Sequence, residues 1–258
     1  MTKENEKTDL FSLYEFPLNE KTRRFLKLEH LFKQLENSIS QIDQSHIFIA
    51  FKYMFEIMDL FDSADCKSDL IKQLGTVSGQ YHALNENPAI DAAKLTKFLQ
   101  QVDSLHQWLI NYKGKFGESL RSDPLIDVIR YRAGISGGIN QFECPEFFLF
   151  INQDELKIKA AFSKWLSSIE PIFQSIGIIL KLLRDNDNWK DAEAPMGNYI
   201  IETTNKNYQL LQIKLPKNNL LPVISYGKHR SNINFMNYNI SFKKSPCLSR
   251  VTFHYCIT

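Results

Sequence analysis

The chain has 258 residues, 43% apolar and 23% charged, with 31 Lys/Arg against 29 Asp/Glu, a balance of +2. These proportions exclude wholesale disorder and allow one large core or two modest ones. A polar start over Met1–Lys7, apolar runs far short of the ~20 residues of a membrane span, and four scattered cysteines (Cys66, Cys144, Cys247, Cys256) exclude a signal peptide, a transmembrane helix and short-spaced metal ligands, so a cytoplasmic protein with free thiols is expected.

Taken in chain order, Leu10 to Phe16 reads as a strand. From Leu18 to Ala133 the apolar period is helical: Phe25, Leu28, Leu31/Phe32 and Leu35; Ile47, Phe51, Met54, Met58 and Phe61; Leu95, Phe98, Val102, Leu105, Leu109 and Tyr112. Three or more amphipathic helices of a bundle are predicted, with Asn19 and Asp65 as N-caps and Asn87-Pro88 before a helix from about Ala89. Gly134-Ile-Ser-Gly-Gly138 has neither dinucleotide nor phosphate-loop spacing and reads as a helix stop before a strand over Phe142–Ile151. Between Gln153 and Arg184, Ile158, Phe162, Trp165, Ile169, Ile172, Ile176, Ile179 and Leu183 recur in steps of four and three, and Leu166, Phe173 and Leu180 form a second stripe. An apolar pattern on two faces predicts a central bundle helix rather than a dimerising coiled coil, kinked or broken at Pro171.

Strand signals follow at Tyr199–Ile201, Tyr208–Leu215, Val223–Tyr226, Asn232–Met236 and Val251–Cys256, with Leu211/Ile213/Leu215 alternating against Gln212/Lys214. The fold class is therefore α+β: a helical bundle domain from residues 18–135 and 153–185, and a largely antiparallel β-sheet domain assembled from the discontinuous segments 8–17, 139–152 and 196–258.

The last 62 residues, Gly197 to Thr258, hold eight Lys/Arg and the single acid Glu202, a local charge of +7 that leaves the preceding chain at −5. Interleaved Tyr and Phe make this a basic, aromatic sheet suited to a binding partner. On an extended Lys228–Phe235, Lys228, Arg230, Asn232 and Asn234 share one face while Ile233 and Phe235 share the other; the alternative is a solvated outer face. No nucleophile elbow, HExxH or paired CxxC occurs, and the acids show no spacing that singles out a proton-transfer pair, so no enzyme, metal or cofactor is expected.

Three segments carry a resemblance: Pro17-Leu-Asn-Glu-Lys-Thr-Arg-Arg-Phe-Leu-Lys-Leu-Glu29; Gly137-Gly138 followed by Phe142-Glu-Cys-Pro145; and Ile224-Ser-Tyr-Gly-Lys-His-Arg230 with Ile233-Asn-Phe-Met236. Together they resemble the ZapD (YacF) family, the Z-ring-associated proteins D. That resemblance implies a cytoplasmic homodimer that binds the C-terminal tail of FtsZ at midcell and bundles its filaments, without catalysis or membrane insertion. It places Arg230 on the family's basic position, with Lys228 and His229 beside it. Related sequences commonly carry Arg where this chain has Asn234, and often a basic residue near where it has Pro124, which leaves the patch either weaker or redistributed toward Lys214, Arg121, Lys243 or Lys244. Arg23 lies on the polar side of its helix and serves equally an intramolecular ion pair. No nucleic-acid partner is expected; the competing expectation is nucleic-acid binding by the basic aromatic sheet, against which stand the absence of an aromatic RNA-binding strand signature and a modest pI of about 8.2.

Overall fold

The computed structural model describes residues 10–41, 43–62, 65–84, 91–203, 207–217, 219–227, 229–239, 241 and 243–258. The chain divides into two compact units, one formed by the residues up to Arg23 together with Lys181–Thr258, the other by Arg24–Leu180.

The second unit is helical. Its elements are α1 (Glu20–Ser40, which begins in the other unit), α2 (Gln44–Asp62), α3 (Cys66–His82), α4 (Ala92–Asn111), α5 (Glu118–Arg121), α6 (Pro124–Ala133), α7 (Pro145–Ile151), α8 (Glu155–Ser167) and α9 (Glu170–Arg184, which ends in the other unit). The expected caps form: Asn19 Oδ1 accepts from the Thr22 amide at 2.8 Å and Asp65 Oδ1 from Ser68 at 3.2 Å. α4 starts slightly later than its spacing suggested, under Asp91, whose carboxylate accepts from Ala93 and Lys94; Asn87 and Pro88 lie outside the described residues.

The long apolar seam is not one helix but α8 and α9, bent by 63° at the break. Pro171 is the second residue of α9, where a missing N–H leaves no intrahelical acceptor unpaired. Ile158, Phe162, Trp165, Ile169, Ile172, Ile176 and Ile179 are all buried. Phe51 of α2 centres the packing, its ring 5.4 to 6.0 Å from Phe147, Phe150, Phe162 and Trp165. Each such ring contributes about 2 kcal/mol by burial. Trp165 completes the arrangement by donating Nε1–H to Asp123 at 2.9 Å, the carboxylate that also caps α6. No single helix among the described residues is long and apolar enough to cross a membrane.

Phe142–Ile151, expected as a strand, is a turn followed by α7. Pro145 opens that helix, and Phe147 and Phe150 reach into the Phe51 cluster, so tertiary packing selects the helical form of a short apolar run. The glycine segment does stop α6, with Gly134 as its C-cap, but a helix follows it rather than a strand.

In the first unit, β1 (Phe11–Pro17), β2 (Lys190–Ala194), β3 (Asn198–Glu202), β4 (Leu210–Pro216), β5 (Leu220–Tyr226), β6 (Arg230–Tyr238), β7 (Lys244–Pro246) and β8 (Val251–Ile257) form two antiparallel four-stranded sheets. The first runs β1-β4-β8-β2, and the second runs β3-β6-β5 with β7 also on β6. The N-terminal strand thus joins the C-terminal meander, with Tyr14 opposite Ile213. Ile213, Leu215, Phe253 and Tyr255 of the first sheet and Ile201, Ile233 and Phe235 of the second form one core, in which the Phe235 and Phe253 rings lie 4.9 Å apart. Two strands had not been anticipated: β2, whose Lys-Asp-Ala-Glu-Ala offers only two small inward residues, and the three-residue β7.

Candidate functional site

The outer face of the second sheet follows from alternation along β6. Ser231, Ile233 and Phe235 are buried, whereas Arg230 is exposed and Asn232 and Asn234 are half-buried. The expected parity therefore holds for Arg230, Asn232 and Asn234; Lys228 lies outside the described residues. The turn before β6 is fixed on both sides. Gly227 N–H donates to Arg230 O at 2.9 Å, Thr203 N–H to His229 O at 3.0 Å, and Thr203 Oγ1 to Gly227 O at 3.1 Å. His229 and Arg230 are both exposed at this turn.

Asn198 organises the middle of the face. Paired in register with Asn234, it donates Nδ2–H to Asn234 Oδ1 at 2.6 Å and to Asn232 Oδ1 at 3.1 Å. Asn234, where relatives were expected to carry Arg, is therefore part of a neutral amide cluster. Sequence reasoning missed Asn198 because only strand register brings it there. Glu202 lies opposite Arg230 in register, yet among the described residues the Arg230 guanidinium has neither hydrogen bond nor ion pair. It is a cation at the start of a strand, with its charge uncommitted among the described residues.

The other candidates are not brought to this face. Lys214 belongs to β4 of the first sheet, its Nζ 3.9 Å from the centroid of the Trp189 ring. Arg121 belongs to the helical unit and is committed there: Nη1–H donates to Phe116 O at 2.7 Å, and Nη2–H to Asp62 at 2.7 Å and Met58 O at 3.3 Å. Arg23 pairs with Glu20 at 3.1 Å. Lys243 and Lys244 are exposed near the far end of β6, where Lys244 stands opposite Tyr238.

The groups whose protonation is displaced lie elsewhere. Burial pushes the Cys66 thiol up to about 12, and hydrogen bonds from Ser78 and then His82 hold Asp103 below the usual carboxylate range. Burial, then a hydrogen bond with Tyr199, raises Tyr255, which faces the core. Among the described residues no cluster of three or more His, Cys, Asp or Glu has a metal-binding arrangement. What the outer face offers chemically is an exposed guanidinium beside a lattice of amides, the equipment for recognising carboxylates and peptide groups.

A family model described as a cell division protein, ZapD, matches residues 26–234. Relatives with the name cell division protein ZapD cover nearly the whole chain. That of Ralstonia pickettii is 30% identical over 243 residues, 93% of this chain and 96% of its own length. That of Cupriavidus metallidurans is 32% identical over 219 residues, 84% and 87% respectively, and that of Azoarcus sp. is 30% identical over 227 residues, 86% and 89%.

Proposed function

Since the chain belongs to the ZapD family of cell division proteins, we propose that it binds the C-terminal tail of FtsZ and cross-links FtsZ filaments at midcell, acting as a cytoplasmic homodimer without catalysis. The observation that carries the reading is Arg230, exposed at the start of β6 and uncommitted among the described residues, in the segment whose sequence charge is +7. An acidic peptide finds complementary charge there, and the amides of Asn198, Asn232 and Asn234 supply hydrogen bonds to its backbone. Bundling needs at least two tail sites per particle, which a homodimer supplies, and two weak contacts on a filament act with avidity.

The test is co-sedimentation with FtsZ filaments formed in GTP, using full-length FtsZ and FtsZ lacking its C-terminal tail, beside a gel shift on nonspecific DNA. Bundles with the full-length protein alone and no DNA shift are expected. Equal bundling of both FtsZ forms overturns tail recognition, and a DNA shift at the same concentrations moves the reading to nucleic acid.

A further inference from the structure

Among the described residues the strand unit has two long terminal strands, β1 in the first sheet and β5 in the second, and their outer edges differ. Lys217 N–H donates to Leu10 O and Leu18 N–H to Gln209 O, both at 2.9 Å, which sets the phase of the β1–β4 ladder. Even-numbered residues of β1 bond to β4, so the backbone groups of Phe11, Leu13 and Glu15 point away from it. In β5 the bonds Gly227 N–H to Arg230 O and Tyr238 N–H to Asn219 O turn the backbone of Leu220, Pro222, Ile224 and Tyr226 outward. Pro222 has no N–H to offer, so its edge is interrupted in the middle, a usual way to keep an edge from recruiting another strand. β1 has no such interruption between Phe11 and Glu15, and Pro17 ends the row.

The surroundings of the β1 edge are apolar and cationic. Leu10 and Leu13 are 64% and 52% exposed. Beside the strand lies a groove of about 350 Å³ lined by Tyr14, Asn219, Leu220, Leu221, Tyr238 and Lys244. Lys214 is the register partner of Leu13. The acid of this strand, Glu15, already accepts both Arg184 Nε–H and Nη2–H at 2.8 Å and Gln212 Nε2–H at 3.1 Å, and Lys214 lies over the Trp189 ring, so among the described residues Lys244 is the lysine here without a charge partner.

We propose that β1 is a docking edge on which an acidic, apolar peptide adds as a further strand of the first sheet. Its backbone pairs with Phe11, Leu13 and Glu15, its apolar residues cover Leu13 and enter the groove at Tyr14 and Leu220, and its carboxylate meets Lys244. This rests on the tail-binding reading above and takes that same tail as occupant, one stretch of it adding to β1 while another lies at Arg230 and the neighbouring amides.

The experiment titrates the full chain with a synthetic FtsZ tail peptide, following fluorescence anisotropy and amide exchange by NMR. Protection of the Phe11, Leu13 and Glu15 amides on peptide addition is expected. Leu13→Pro removes one outward N–H while sparing the β1–β4 ladder, and should weaken binding about ten-fold, against two- to three-fold for Leu13→Ala. Peptide binding that leaves those three amides unprotected overturns the docking edge while tail recognition stands, and this arm needs no variant to fold. A folded Leu13→Pro protein with wild-type affinity overturns it as well. Absence of any peptide binding overturns the tail-binding reading itself. Protection already present without peptide and lost on dilution assigns the edge to a second copy of the chain, which also overturns the proposal.

Discussion

Arg230 and Arg121 carry the same charge in opposite circumstances, and that difference makes the partner-contact reading testable one side chain at a time. Arg230 projects into solvent from a strand whose other face is core, so Arg230→Glu, which sets a second acid opposite Glu202, should lower the thermal midpoint by no more than about 4 °C. It should sharply reduce the light scattering of FtsZ bundles, because an acid then opposes an acidic tail. Arg121→Glu should do the reverse: it removes three hydrogen bonds, sets a carboxylate against Asp62 and two carbonyls, and lowers stability by roughly 2 kcal/mol. Normal bundling by a folded Arg230→Glu protein would reduce the face to a solvated surface. Asp103 supplies a pH signature at the same scale. Its folded-state pKa lies below the ordinary value because of Ser78 and then His82, so its contribution is present above pH ~4 and is lost as pH falls through the lower folded value. The stability gap between wild type and Asp103→Asn, under about 1 kcal/mol for so exposed a group, should close as pH falls from 5 toward 3; a gap that widens over that range contradicts the assignment.

At the scale of elements, what could be read in advance was whatever repeats over several turns or pleats. The helices through Phe25, Phe51 and Val102 recur at a sustained period, and every strand with two or more bulky inward residues, such as Ile213 with Leu215 or Ile233 with Phe235, was legible from alternation. Short segments were not. Phe142–Ile151 is rich enough in aromatics to pass for a buried strand, and its one local signal for helix was Pro145, which suits the first helical position. β2 offers Ala192 and Ala194 as its inward residues, too small to register as a period, and Lys244–Pro246 has no period at all. The site was legible in part for the same reason. Parity placed Arg230, Asn232 and Asn234 on one face, but bringing Asn198 to them required the β3–β6 register, and separating Lys214 from them required knowing that there are two sheets. Gly197, between β2 and β3, shows how such a connection is held. It sits at φ +69°, and a Cβ there would collide with the carbonyl of Cys247. Gly197→Ala should cost at least ~2 kcal/mol, read as a lower denaturant midpoint at unchanged slope. A midpoint equal to wild type would mean that the two segments are not held so closely in solution.

The whole molecule is nearly neutral, yet its sequence charge is divided, −5 before Gly197 and +7 after it. A divided charge orients a protein in the field of a polyanionic partner while avoiding the nonspecific adhesion of a uniformly cationic one. Steering of this kind acts through solvent and is screened. As ionic strength rises from 0.01 M to 0.15 M, the screening length contracts from about 30 Å to about 8 Å, so encounter with the tail should slow steeply while contacts already desolvated at a docked peptide persist. The proposed homodimer adds a second dependence, since losing one of two weak contacts still leaves a particle tethered. Bundling by the wild type should therefore fall with salt more steeply than binding of an isolated tail peptide, because a cross-link fails when either of its two ends lets go. Light scattering of FtsZ in GTP across a salt series, beside peptide anisotropy at the same concentrations, measures both curves. Size-exclusion chromatography with multi-angle scattering should return about twice the 30.1 kDa chain mass at micromolar concentration. A 30.1 kDa particle that bundles undiminished would remove the need for two sites per particle, and salt-independent bundling would remove the electrostatic account of Arg230.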